Sequence, residues 1–123
     1  MLPPGVKLLR TFEGHQDSIG SVAFDPQGEM LASGSSDNTV KLWEVGSGKL
    51  LRTLEGHQDV VGSVVFDPQG EVVASGSNDH TVKLWEARSG KLLRTLEGHT
   101  RGVFSVVFDP QGEVVASGSN DHT

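Results

Sequence analysis

Residues 56–86 read GHQDVVGSVVFDPQGEVVASGSNDHTVKLWE, a stretch in which three short extended segments alternate with turn chemistry. The segment SVVF (63–66) runs into Asp67-Pro68-Gln69-Gly70, which puts Asp at the first position of a type I turn, Pro at the second and Gly at the fourth. VVASGS (72–77) follows, then a tight turn at Asn78-Asp79-His80, then TVKLWE (81–86), whose β-branched and aromatic residues favour an extended chain. Glycine and proline punctuate every dozen residues or so, and no helical period survives between them. Past the loop Ala87-Arg88-Ser89-Gly90, KLLRTLEGH (91–99) supplies a fourth strand, whose Lys and Arg suit a water-facing edge. The unit expected is a four-stranded antiparallel sheet. SVVF and VVAS are almost continuously apolar, which requires both faces of that sheet to be covered by neighbouring sheets.

The unit recurs at a step of 42 residues, seen in Gly14-His15, Gly56-His57 and Gly98-His99 and again in Trp43 and Trp85. Residues 7–48 and 49–90 differ at 10 of 42 positions, and residues 49–81 and 91–123 at only 4 of 33. The chain therefore divides into a lead-in (1–6), two repeats (7–48 and 49–90) and a third, incomplete repeat (91–123). A chain of 123 residues with 35% hydrophobic content has little apolar material for a private core, so neighbours are expected to complete it. Ten Lys plus Arg against sixteen Asp plus Glu leave a net charge of −6, which opposes a polyanion and argues against nucleic acid as a partner. With no cysteine there is neither a disulfide framework nor a thiolate metal site. The opening MLPPGVKLLR lacks the apolar run of a signal peptide or a membrane span, so the expectation is a soluble, cytoplasmic chain with no membrane partner.

The Gly-His pair, the Asp-Pro-x-Gly hairpin, the run LASGSSDNTVKLW (31–43) and the 42-residue period together resemble the WD-repeat β-propeller family, over residues 7–123. The resemblance implies an all-β ring of four-stranded antiparallel sheets, or blades, stacked around an axis. The dipeptide that names the family is Trp-Glu here (Trp43-Glu44, Trp85-Glu86), which keeps the acidic character. The third copy stops at Thr123, ahead of its VKLW strand. GVKLLRTFEGH (5–15) looks like the start of a VKLW strand fused to an LLRTLEGH strand, and its residues 5–12 are expected to complete the blade of another chain. Three blades are too few for a ring, so closure is expected by homo-oligomerisation. A trimer with nine blades is favoured over a dimer with six, because a wider ring relieves crowding of the inner strands.

Each copy holds His, Ser and Asp at fixed offsets: His15, Ser33 and Asp37; His57, Ser75 and Asp79; His99, Ser117 and Asp121. These are the residue types of a hydrolase triad. Three repeated copies have no catalytic rationale, however, and no oxyanion site accompanies them. The resemblance implies instead a structural hydrogen-bonded tetrad, with Trp43 or Trp85 as its fourth member. His80 and His122 stand where the first copy has Asn38, at a turn position tolerant of unusual dihedrals. No second ligand lies at a zinc-like spacing, so neither a metal nor a cofactor is expected.

All four differences between the second and third copies fall within five positions: Gln58, Asp59, Val60 and Gly62 become Thr100, Arg101, Gly102 and Phe104. This is the loop entering the innermost strand. In the propeller family it shares a rim with the tight turn that holds Ser36, Asn78 and Asn120. Arginine and aromatic side chains are favoured interface anchors, so this rim is the candidate binding site for a protein or peptide. The function expected is a non-catalytic interaction scaffold. The alternatives are an amplified or engineered self-assembling fragment with no dedicated ligand, which the near-identity of the copies favours, and a hydrolase.

Overall fold

The computed structural model describes residue 14 and residues 17–99, 102–112 and 115–119. Among these, ten strands follow one another: β1 (Ile19–Phe24), β2 (Met30–Ser35), β3 (Val40–Glu44), β4 (Leu50–Leu54), β5 (Val61–Phe66), β6 (Val72–Ser77), β7 (Val82–Glu86), β8 (Leu92–Leu96), β9 (Val103–Phe108) and β10 (Val115–Ser119). β1 to β4 form a four-stranded antiparallel meander, β5 to β8 form a second, and β9 and β10 pair in a third sheet. Sheet and sequence period are out of phase by one strand. Repeat 49–90 gives β4 to the first sheet and β5 to β7 to the second, so residues 55–60 carry the chain from the outer edge of one sheet to the innermost strand of the next. Residues 5–12, expected to complete a blade in another chain, lie outside the described residues.

Local chemistry makes the turns. Asp67 begins the β5–β6 hairpin, and its Oδ1 accepts the backbone N–H of Glu71 and of Val72 at 2.8 and 3.0 Å. Asp25 repeats the pattern towards Glu29 and Met30 at 2.7 and 2.9 Å. Both aspartates are buried, and their carboxylates are spent on the backbone. In the β2–β3 and β6–β7 turns, Asn38 and His80 have φ of 73° and 77°, a left-handed conformation that explains the residue types found there.

The innermost strands β1, β5 and β9 pack side by side, and the second sheet is covered on both faces. Val61, Val64 and Phe66 of β5 are buried with Ala32, Val40, Leu42 and Leu54 of the first sheet. Val103 and Val106 of β9 meet Ala74 and Val82 of the second sheet in the same way. A glycine admits each contact: a Cβ on Gly34 would lie 2.7 Å from Val61 Cγ1, and one on Gly76 would lie 2.8 Å from Val103 Cγ1. A hydroxyl reinforces it, because Ser21 Oγ accepts the Val64 N–H and Ser63 Oγ the Val106 N–H, each at 3.2 Å.

Gly34→Ala is therefore expected to cost about 1–3 kcal/mol through overpacking. In urea unfolding, Gly34→Ala combined with Val61→Ala should lose less than the sum of the two single changes. Strict additivity would show that the positions do not press on each other.

Candidate functional site

The second sheet brings His57, Ser75, Asp79 and Trp85 together. β6 carries Ser75, β7 carries Trp85, the tight turn between them carries Asp79, and the segment between β4 and β5 brings in His57. Trp85 Nε1 donates to Ser75 Oγ at 2.8 Å, and Ser75 Oγ lies 2.7 Å from His57 Nε2. His57 Nδ1 lies 2.8 Å from Asp79 Oδ2. The consistent proton order is indole N–H to serine oxygen, serine O–H to imidazole Nε2, and imidazole Nδ1–H to carboxylate. The segment can lie this close because Gly56 sits on the indole, where a Cβ would be 3.2 Å from Trp85 Cη2. That contact, with a φ of 155° at this position, accounts for Gly56.

Asp79 is more heavily used than the residue pattern indicates. Its Oδ1 accepts the backbone N–H and hydroxyl of Thr81 at 3.0 and 2.6 Å, and its Oδ2 also accepts the Gln58 N–H at 3.0 Å. Burial alone would raise its pKa. The Thr81 hydroxyl, the Gln58 N–H and His57 overcome that effect and hold the carboxyl at about 2. His57 is also lowered, but by burial itself: desolvation outweighs the pull of Asp79 and keeps its pKa below 6.5, so the ring is neutral. Thr81 was not singled out from sequence, although the Asp-x-Thr spacing is the signal that would have found it.

The first sheet holds part of the same arrangement. Trp43 Nε1 donates to Ser33 Oγ at 2.8 Å, and the Asp37 carboxylate accepts the Thr39 N–H at 3.0 Å. His15 and Asp121 lie outside the described residues, as does the side chain of Ser117; His99 is half-buried. The order Ser75, His57, Asp79 has the connectivity of a nucleophile, base and acid. Ser75 is nevertheless 0% exposed and its oxygen is taken by the indole, so it has no route to an acyl carbon. No group of three or more potential metal ligands occurs among the described residues.

At the rim, the turn residues are tied to the loop that enters the innermost strand: Ser36 N–H donates to Ser18 O at 2.8 Å and Asn78 N–H to Val60 O at 3.0 Å. Gly102 abuts Asn78 across the junction between the second and third sheets, where a Cβ would meet Asn78 Oδ1 at 2.7 Å and Asn78 Cα at 3.1 Å. The change from Val60 to Gly102 between copies is thus a fit to the preceding sheet. Thr100, Arg101 and Asn120 lie outside the described residues, as does the Phe104 side chain.

Removing the shared carboxylate in Asp79→Ala leaves buried donors unpaired and is expected to cost about 1–3 kcal/mol. A melting temperature within about a degree of the parent would show that the network does not stabilise the fold. Acid should act on the same groups. The unfolded chain protonates His57 near 6.5, above the folded value, so this stability is present above that pH and lost as pH falls below it. The Asp79 contribution is lost between 3.8 and about 2. Urea midpoints recorded against pH should show the first decline, and His57→Gln should flatten it; an unchanged slope would assign the decline elsewhere.

Comparison with known proteins agrees with this architecture. A family model described as WD domain, G-beta repeat matches residues 6–44, 48–86 and 90–123. The eukaryotic translation initiation factor 3 subunit I of Neurospora crassa is 49% identical over 41 residues, which is 33% of this chain and 12% of that protein. The ribosome biogenesis protein BOP1 homolog of Drosophila virilis is 48% identical over 46 residues, 37% of this chain and 6% of that one. Each alignment spans about one repeat, so the likeness is that of a blade and not of the whole relative. The crystal structure of RRP9 WD40 repeats superposes with a TM-score of 0.88 at 29% identity, over 91% of this chain and 36% of that chain. With three matched repeats and blades of the same form, this chain belongs to the WD40 family.

Proposed function

We propose that this chain is a non-catalytic protein-interaction scaffold, in which the blades of several copies complete one propeller and the rim receives a protein or peptide. The observation that carries this reading is the internal use of the Ser75, His57 and Asp79 set in the second blade. Ser75 is sealed under Trp85, His57 is neutral, and the Asp79 carboxylate accepts from His57, Gln58 and Thr81. Groups engaged in this way hold a turn rigid and do not turn over a substrate. The rigid turn presents Ser36, and in the next copy Asn78, beside the loop where the copies differ. Between the second and third copies the variation is confined to that loop on a fixed frame, the usual arrangement of a binding surface.

The relatives add support of a general kind, since one is named as a subunit of an initiation factor and so works within an assembly. For the multi-chain propeller, closed symmetric solutions are six blades from two copies or nine from three, and the wider ring is preferred because it relieves crowding at the axis.

The rim is tested by Arg101→Ala combined with Phe104→Ala. Partners recovered by affinity capture with the parent should be lost with the double variant, while melting temperature and assembled mass stay unchanged. Capture that persists would remove the rim as the binding site, and a loss of assembly would assign Phe104 to packing between blades.

A further inference from the structure

We infer that the open face of the first sheet, which carries Ile19, Val22 and Phe24, is a docking surface for the β9–β10 sheet of a second copy of this chain. The inference rests on the proposed multi-chain assembly and identifies its contact. The 42-residue step places Ile19, Val22 and Phe24 at the positions of Val61, Val64 and Phe66, which the first sheet buries to 0%, 5% and 6% exposure. Ile19, Val22 and Phe24 are instead 48%, 58% and 62% exposed. Three large apolar side chains together on one sheet face form a patch that water disfavours.

The two junctions inside the chain define what fits there. Each uses a glycine that admits the first apolar residue, Gly34 for Val61 and Gly76 for Val103. Each uses a serine oxygen that accepts a valine N–H, from Val64 to Ser21 and from Val106 to Ser63. Each also lays the Pro-Gln of one hairpin loop against the glycine of the next. A Cβ on Gly70 would lie 3.2 Å from Pro26 Cδ, and one on Gly112 would lie 3.0 Å from Pro68 Cδ.

Both unmatched halves of such a junction are present on this molecule. The receiving half is on the first sheet, where Val22 stands at the donor position and Gly28 has nothing within 4 Å of a Cβ. The giving half is on the third sheet, where Gly118, exposed Ser105 and exposed Pro110 stand at the positions of Gly76, Ser63 and Pro68. Val107 on that sheet is 53% exposed, whereas its counterpart Val65 is half-buried and packed in the second junction. A partner without a glycine at the Gly118 position would drive a Cβ into Ile19, so the occupant is specified in detail. A second copy supplies that glycine, the serine and the Pro-Gln loop in the correct register.

The test is light scattering behind a sizing column. The parent is expected at two or three times 13.1 kDa. Val22→Asp closes the receiving face and Gly118→Val the giving face, so each variant alone should run at 13.1 kDa. Mixed in equal amounts, they retain one compatible pair of faces and should form a species of twice 13.1 kDa, which also shows that both are folded. Val107→Asp, at an exposed site, replaces Gly118→Val should that chain fail to fold. Variants that keep the parent mass would overturn this contact while leaving assembly in place. A mixture that stays at 13.1 kDa would show that the two faces do not meet. A parent that is itself a monomer at micromolar concentration would overturn the multi-chain reading.

Discussion

Across the first sheet junction, a valine methyl group occupies the space that any side chain on Gly34 would need, with Val61 Cγ1 2.7 Å from where a Cβ would stand. The same fit recurs between Gly76 and Val103. Interiors pack at the density of organic crystals, so a contact this close sets the separation of the sheets and leaves little freedom to slide. Much else follows from it. At this separation a serine hydroxyl on β1 can reach the Val64 N–H on β5, which would otherwise face a dry interface unpaired. The faces of β5 and β6 are apolar on both sides because both sides are covered, whereas the outer strands β4 and β8 each carry an arginine, Arg52 and Arg94.

The polar network of the second blade solves a different problem. A four-stranded sheet with two apolar faces is held by packing, which fixes its interior well and its turns poorly. The Trp85–Ser75–His57–Asp79 chain runs from the buried middle of the sheet out to the turn and joins them with directional bonds. Its low dielectric surroundings strengthen each bond and make every missing partner expensive. The same surroundings keep His57 neutral beside an ionised carboxylate, because desolvating a cation would cost more than the attraction of Asp79 returns.

These two devices divide the molecule into parts with different freedom to vary. Positions that enter the sheet junction or the network are nearly uniform between copies, whereas the loop into the innermost strand changes. Even there the change is not wholly free. Gly102 replaces Val60 where the neighbouring turn carries Asn78 in place of Ser36, so the rim is shaped in part by the preceding blade.

The sequence by itself determined the 42-residue period, the strands and the turns. Aspartate, proline and glycine at set offsets leave a local chain few conformations, and near-identical copies reveal their own boundaries. It also contained the members of the network, once the Gly-His and Ser-Gly-Ser patterns were aligned between copies. It even placed 91–99 as the fourth strand of the sheet that begins at 63, and β8 does pair with β7. Only the tertiary structure showed that Gly34 and Gly76 are receptors for a valine, that Ser21 and Ser63 serve a neighbouring blade, and that Thr81 completes the carboxylate's partners. Such roles have no local signature: they are set by which surfaces meet across the sheet junctions, and a glycine required for close approach reads, in sequence, like a glycine required for a turn.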